Sequence, residues 1–149
     1  MSDVRPLLVL GWGNPSRGDD ALGPLFIARL RALGLSAGQV DYLEDFQLQV
    51  EHALDLLGRA RVLLVDASLS CAAPFEVTVL QPARDASLHS HALTPAALLQ
   101  VYAELHGRPP PPSTLLAIRG ERFELGEAPS AAALANLAAA LQWARAWVA

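Results

Sequence analysis

Short apolar runs alternate along this chain with longer segments of helical periodicity, and together they predict five strands and four helices. The strands are expected at Leu7–Trp12, Val40–Phe46, Arg61–Asp66, Phe75–Gln81 and Thr114–Arg119. The first and third strands are continuously apolar, which is typical of strands covered on both faces of a sheet. The helices are expected from about Asp20 to Leu33, from about Gln47 to Leu57, between Thr94 and Gly107, and from Ser130 onward. This alternation predicts an α/β fold.

The connection between the third and fourth predicted strands changes the expected topology. It reads SLSCAAP, a loop of small residues from Ser68 to Pro74 that is too short for a crossover helix. Parallel neighbours in a sheet need such a crossover, so the fourth strand is expected to run antiparallel. The sequence therefore predicts a three-layer α/β/α sandwich around a mixed, mostly parallel five-stranded sheet.

Length and composition predict a single soluble domain over residues 1–149. Of the 149 residues 52% are hydrophobic and 17% are charged, a globular balance, and no apolar run approaches the roughly 20 residues that span a bilayer. The opening MSDVRPLLVLGWGNP does not resemble a secretory leader. Cys71 is the only cysteine, so no disulfide can form within the chain, and a cytoplasmic location is expected.

The charged residues exclude several classes of function. A net charge of −4 offers no attraction to nucleic acid or to an anionic membrane, so neither is expected as a partner. All 11 basic residues are arginine. Schiff-base chemistry, a lysine general base and the lysine-containing phosphate loop of nucleotide hydrolases are therefore ruled out.

Three acidic residues follow or end two of the apolar strands. The segment LLVLGWGNPSRGDD runs from the first strand through a Gly-Asn-Pro turn to Asp19 and Asp20, and Asp66 ends the strand VLLVD. One acid of the pair suffices to cap the helix that follows, which leaves the other for chemistry. A carboxylate at the end of a buried strand is costly unless it is paired, hydrated or coordinated. If the first and third strands are neighbours, Asp20 and Asp66 emerge at the same edge of the sheet, where α/β proteins bind ligands.

A histidine completes a candidate metal site. The segment SLHSHALTP places His89 and His91 just before the third helix, and one imidazole with two carboxylates suits zinc or another divalent transition metal. His52 and His106 lie within helical patterns and are expected on the surface.

Other constellations fit less well. Gly11 and Gly13 are followed by Ser16 where a dinucleotide-binding turn needs its third glycine. Cys71 has no histidine near it in sequence, and Ser68 and Ser70 lack the nucleophile-elbow pattern of serine hydrolases.

The order of LGWGNPSRGDDALGP, VLLVDAS and a Ser-His pair ahead of a helix resembles the hydrogenase maturation proteases, and the likeness extends to LAIRGERFELGEAPS near the end. The resemblance implies an endopeptidase that removes a C-terminal extension from the nickel-loaded large-subunit precursor of a nickel-iron hydrogenase. It implies that Asp20, Asp66 and His91, rather than His89, are both the catalytic and the metal-binding residues. It also implies that the substrate supplies the nickel, and that no organic cofactor is tightly bound.

One segment departs from the family pattern. Family members often carry an acidic residue followed by Gly-Gly-Thr after the second strand, whereas this chain has Glu44, Asp45, Phe46 and Gln47. The Gln-Leu-Gln that follows is similar to the branch that acts on soluble, cofactor-reducing hydrogenases. Glu44 either keeps the role of the family acid or helps to hold the loop.

Asp20, Asp66 and His91 are compatible with two further functions. The same three residues suit a self-contained zinc peptidase or amidase, and they also suit a non-catalytic chaperone that grips metal-loaded partners. The sequence leaves open whether the metal is catalytic or only positions the bond to be cut.

Overall fold

The structure is a computed structural model that describes residues 4–84 and 93–149. Five strands form one sheet: β1 (Leu7–Trp12), β2 (Val40–Asp45), β3 (Arg61–Ser68), β4 (Phe75–Val79) and β5 (Ser113–Arg119). The α-helices are α1 (Leu22–Ala32), α2 (His52–Asp55), α3 (Pro95–His106) and α4 (Ala131–Val148). A 3-10 turn at Gly18–Ala21 leads into α1.

The strand order is β2-β1-β3-β5-β4. The first four strands in this order are parallel, and β4 runs antiparallel to β5. Both features match the prediction, since the short loop after β3 gives the chain no helix with which to cross back over the sheet. The mixed, mostly parallel sheet of an α/β fold is therefore confirmed.

Two apolar cores separate the sheet from its helices. Along β1, Leu7 and Val9 pack in the core shared with α1 and α4, whereas Leu8 and Leu10 pack in the core shared with α2 and α3. Successive side chains of a strand point to opposite faces, so one continuous apolar strand serves both cores. The helices thus cover the sheet on both sides, as expected of three layers.

The ends of two helices follow their sequence signals. The Thr94 hydroxyl accepts the Ala97 N–H at 3.1 Å, and α3 ends at Gly107, whose φ of +65° favours glycine. The Ser130 hydroxyl accepts the Ala133 N–H at 3.1 Å and begins α4. These two predicted helices are confirmed.

The other two helices are shorter than predicted. The second helix was expected from about Gln47 to Leu57, but α2 is a single turn from His52 to Asp55. The preceding residues instead bend around the Asp45 carboxylate, which accepts the Phe46 N–H at 2.7 Å. The first helix was expected from Asp20, but the chain there forms the 3-10 turn, and α1 starts at Leu22.

Candidate active site

The candidate site lies at the carboxyl ends of β1 and β3. These two strands are neighbours, with Gly11 paired to Val65, so that the end of β1 is level with Asp66. The predicted adjacency of the first and third strands is therefore confirmed. Helix α1 packs close beneath this edge, because a Cβ on Gly23 would collide with the backbone of Trp12. Such close packing fixes the start of α1, and with it the preceding turn that carries Asp20, against the end of β1.

Asp20 is held by the backbone of the Gly-Asn-Pro turn. Its Oδ2 accepts the Asn14 N–H at 2.9 Å, and the Asn14 side chain in turn accepts the Ser16 N–H at 2.8 Å. Gly13 has a φ of +148°, and a Cβ there would collide with the backbone carbonyl of Asp20. The glycine is thus required both by its conformation and by the lack of space, and the turn orients a half-buried carboxylate.

Asp66 lies near enough to Asp20 for the two charges to interact. Burial raises the pKa of Asp66, the negative charge of Asp20 raises it further, and a hydrogen bond from the Ala67 N–H only partly offsets both, so that the pKa moves from 3.8 to about 7. Two carboxylates that repel each other in a partly buried place are stabilised by a cation or a shared proton. The structure therefore brings together two of the three predicted ligands.

Removing the charge of Asp20 is expected to lower the pKa of Asp66. In Asp20→Asn the repulsion is gone, while burial, the larger cause, remains, so the pKa of Asp66 should settle between 3.8 and about 7. Carbon-detected NMR of the Asp66 carboxyl group during a pH titration measures this directly. Glu44→Gln, which removes an exposed charge at the end of β2, is the control and should leave the Asp66 titration unchanged. An unaltered titration in Asp20→Asn would mean that the two carboxylates do not interact.

Asp19 has a different role from its neighbour. It is 1% exposed, and its carboxylate accepts the backbone N–H groups of Glu121 at 2.7 Å, Arg122 at 3.2 Å and Ser130 at 2.6 Å, together with the Ser130 hydroxyl at 2.8 Å. The expectation that one acid of the pair caps the helix beside it is wrong, because neither the 3-10 turn nor α1 has a side-chain cap. Asp19 instead ties this turn to the residues between β5 and α4.

The third predicted ligand, His91, lies outside the described residues, as does His89. Within residues 4–84 and 93–149, no three His, Cys, Asp or Glu side chains are grouped so that they would share a metal ion. The three-ligand site therefore stays a prediction, of which the structure describes the two carboxylates.

The expectation that His52 and His106 lie on the surface is wrong for His52. Its side chain is buried at 7% exposure and faces Asp45, with 3.3 Å between Nε2 and Oδ2. His106 is half-buried, and its ring packs against Tyr102 with 4.5 Å between ring centroids. Both histidines lie within helical patterns of the sequence, and those patterns do not indicate either contact.

The loop after β3 is organised as structure. The Ser68 hydroxyl accepts the N–H groups of Ser70 at 3.2 Å and Cys71 at 3.0 Å, and Arg119 donates to the Cys71 carbonyl at 2.8 Å. Cys71 itself is buried. These contacts give Ser68 and Cys71 a structural role in the loop, and the absence of a serine or cysteine nucleophile stays a prediction.

The described residues thus define an α/β/α protein with paired carboxylates at the carboxyl edge of its sheet. Its fold is that of the hydrogenase maturation proteases. The NiFe hydrogenase maturation protease HycI of Thermococcus kodakarensis superimposes with a TM-score of 0.74 at 21% identity, over 97% of this chain and 92% of that one. The hydrogenase maturating endopeptidase HybD of E. coli gives a TM-score of 0.70 at 23% identity, over 92% and 88%.

A third solved structure extends the likeness to another source. The hydrogenase 2 maturation peptidase of a Thaumarchaeota archaeon gives a TM-score of 0.68 at 20% identity, over 96% of this chain and 98% of that one. No family model and no curated protein matches the sequence. The resemblance inferred from the sequence motifs is therefore confirmed at the level of the fold. In the described ranges, none of the helices is both long and apolar enough to cross a membrane.

Proposed function

We propose that this protein is an endopeptidase that removes a C-terminal extension from the large-subunit precursor of a nickel-iron hydrogenase. In this proposal Asp20, Asp66 and His91 recognise the nickel that the precursor already holds. The observation that carries the proposal is the placement of Asp20 and Asp66 after neighbouring strands, where the charge of Asp20 raises the pKa of Asp66, in a fold shared with the maturation proteases. The proposed setting is the cytoplasm, consistent with a chain that has only one cysteine.

In this proposal the two carboxylates supply metal ligands to the nickel of a docking precursor. Oxygen donors at a half-buried edge satisfy part of the coordination of a divalent cation, and an imidazole from His91 would add a nitrogen donor. The Asn14 N–H holds Asp20 in a fixed orientation, so little ordering is needed when the precursor binds. Because the pair is repulsive without a cation, a metal-loaded precursor gains binding free energy that a metal-free one does not.

Peptide hydrolysis needs an activated water and stabilisation of the oxyanion. A divalent metal at the scissile bond supplies both by lowering the pKa of water and polarising the carbonyl. This chain's own part is to hold that bond at the carboxyl edge of β1 and β3, with Asp20 and Asp66 as ligand or proton acceptor. The account needs no nucleophile from the protein, in agreement with the structural roles of Ser68 and Cys71.

The test compares two forms of one precursor. The purified protein is incubated with nickel-loaded and with nickel-free large-subunit precursor, and the products are weighed by mass spectrometry. We expect the loaded form alone to lose the mass of its extension. Equal cutting of both forms would contradict recognition through nickel.

The same experiment separates the two competing functions. A self-contained zinc peptidase would contain stoichiometric zinc when isolated and would cut generic peptides. A metal-centre chaperone would bind the loaded precursor and leave its mass unchanged.

A further inference from the structure

The buried His52 and the half-buried Asp45 form a polar network beside the candidate site. The His52 Nδ1 accepts the Gln49 N–H at 2.9 Å, so the proton of a neutral ring lies on Nε2, which faces the Asp45 carboxylate at 3.3 Å. The same carboxylate oxygen accepts the Gln49 side-chain amide at 3.3 Å, and the other accepts the Phe46 N–H at 2.7 Å. A single carboxylate at the end of β2 thus accepts two hydrogen bonds and faces the ring of His52.

The network reaches the site through the backbone. The Asp45 carbonyl accepts the Gly13 N–H at 3.1 Å, which joins the end of β2 to the turn that follows β1. Gly13 lies directly against Asp20, since a Cβ on it would stand 3.3 Å from Asp20 Oδ1. The next residue, Asn14, donates its N–H to Asp20 Oδ2. Three successive contacts therefore connect the imidazole of His52 to the carboxylate of Asp20: His52 to Asp45, Asp45 to Gly13, and Asn14 to Asp20.

The geometry points to His52 as a positioning residue for Asp20, acting through Asp45 and Gly13. The expected effect of His52 on cleavage rests on the proposed function. A buried polar group with both ring nitrogens engaged holds one arrangement, because any other leaves a donor or an acceptor unpaired away from water. The turn at Gly13 contacts β2 through the hydrogen bond from its N–H to the carbonyl of Asp45. His52 in turn contacts the side chain of Asp45. Loss of His52 is therefore expected to loosen the turn and misdirect the Asp20 carboxylate.

Two substitutions separate the two contacts of His52, the hydrogen bond at Nδ1 and the contact of Nε2 with Asp45. In His52→Gln the side-chain amide keeps a donor near the position of Nε2 and can still reach Asp45, whereas in His52→Asn the shorter amide keeps only an acceptor near Nδ1. The Asn14 amide proton, which is bound to Asp20, reports on the carboxylate by NMR without any substrate. Asp20→Asn gives the reference position of this signal when the charged acceptor is lost.

We expect the Asn14 signal to stay at its wild-type position in His52→Gln and to move toward the Asp20→Asn position in His52→Asn. In the processing assay, His52→Asn should lower kcat for the nickel-loaded precursor about tenfold at unchanged KM, and His52→Gln should restore it. Glu51→Gln, a change of the exposed neighbour, should alter neither readout.

A purely structural role for His52 gives a different result. Both variants would then unfold at lower urea concentration, while the Asn14 signal of each folded variant stayed in place, and that outcome would overturn the inference. If the wild type cuts no precursor, the proposed function fails, but the Asn14 signal still decides whether His52 positions Asp20.

Discussion

Asp66→Ala is expected to leave the nickel-loaded precursor uncut while the protein stays folded. The variant loses one of the two carboxylates that face the proposed metal, and the rate of processing should fall about a hundredfold or more. The fold should tolerate the change, because the charged form of Asp66 is disfavoured by its burial and by Asp20. Replacing Asp66 by alanine therefore removes its electrostatic repulsion with Asp20 together with the proposed metal ligand.

Processing is measured by mass spectrometry at matched protein concentration, with circular dichroism to show that the variant is folded. Glu76→Ala is the control: Glu76 pairs with Ala117 across the sheet, and Ala117 pairs with Asp66 on its other side. It therefore removes an acid two strands away at the same level. The control should process normally, and full processing by folded Asp66→Ala would refute the assigned role.

Asp19→Ala is expected to destabilise the protein severely, whereas Asp20→Ala should leave it folded. Without the carboxylate of Asp19, which is buried, the N–H groups of Glu121, Arg122 and Ser130 lose their acceptor. Leaving such donors unpaired is expected to lower the free energy of unfolding by about 3 to 5 kcal/mol. Asp19→Ala should thus lose stability, whereas Asp20→Ala should stay folded and lose activity.

Urea denaturation of the two variants measures this contrast. It should also depend on pH: burial raises the pKa of Asp19, but the hydrogen bonds from Glu121, Ser130 and Arg122 outweigh burial and lower it overall. The stabilisation from Asp19 is therefore complete above the pKa of the unfolded chain and is lost as the pH falls through the lower folded pKa. The difference between wild type and Asp19→Ala should shrink in acid. Equal stability of Asp19→Ala and Asp20→Ala at neutral pH would contradict the assignment.

The sheet was predictable because its strands carry their own signals. Continuous apolar runs at β1 and β3 require cover on both faces, and the short loop before β4 forbids a parallel crossover. Helix ends at Thr94 and Ser130 depend on local hydrogen bonds within three residues, so their residue types predict them.

The predictions that were wrong concern contacts that the spacing of residues along the sequence does not indicate. Asp19 meets Ser130 across 111 positions of the chain, and nothing near Asp19 indicates that partner. The short α2 follows from the acceptor role of Asp45, whose donors reorganise the residues that helical periodicity assigned to a longer helix. His52 was expected on the surface because helical periodicity does not indicate that a histidine is buried against a carboxylate.

Part of the candidate site was predictable in the same way. Asp20 and Asp66 were expected at one edge because carboxyl ends of neighbouring parallel strands meet there, and the effect of Asp20 on the pKa of Asp66 agrees with that expectation. His91 lies in a segment outside the described residues, and its place beside the pair is still a prediction.

The convergence of the two carboxylates and one imidazole is tested most directly by anomalous diffraction from crystals of this protein grown with nickel. The account predicts one ion bound by Asp20, Asp66 and His91 at about 2.0 to 2.2 Å, with a coordination position left open. An ion bound elsewhere, or His91 directed away from Asp20 and Asp66, would contradict it.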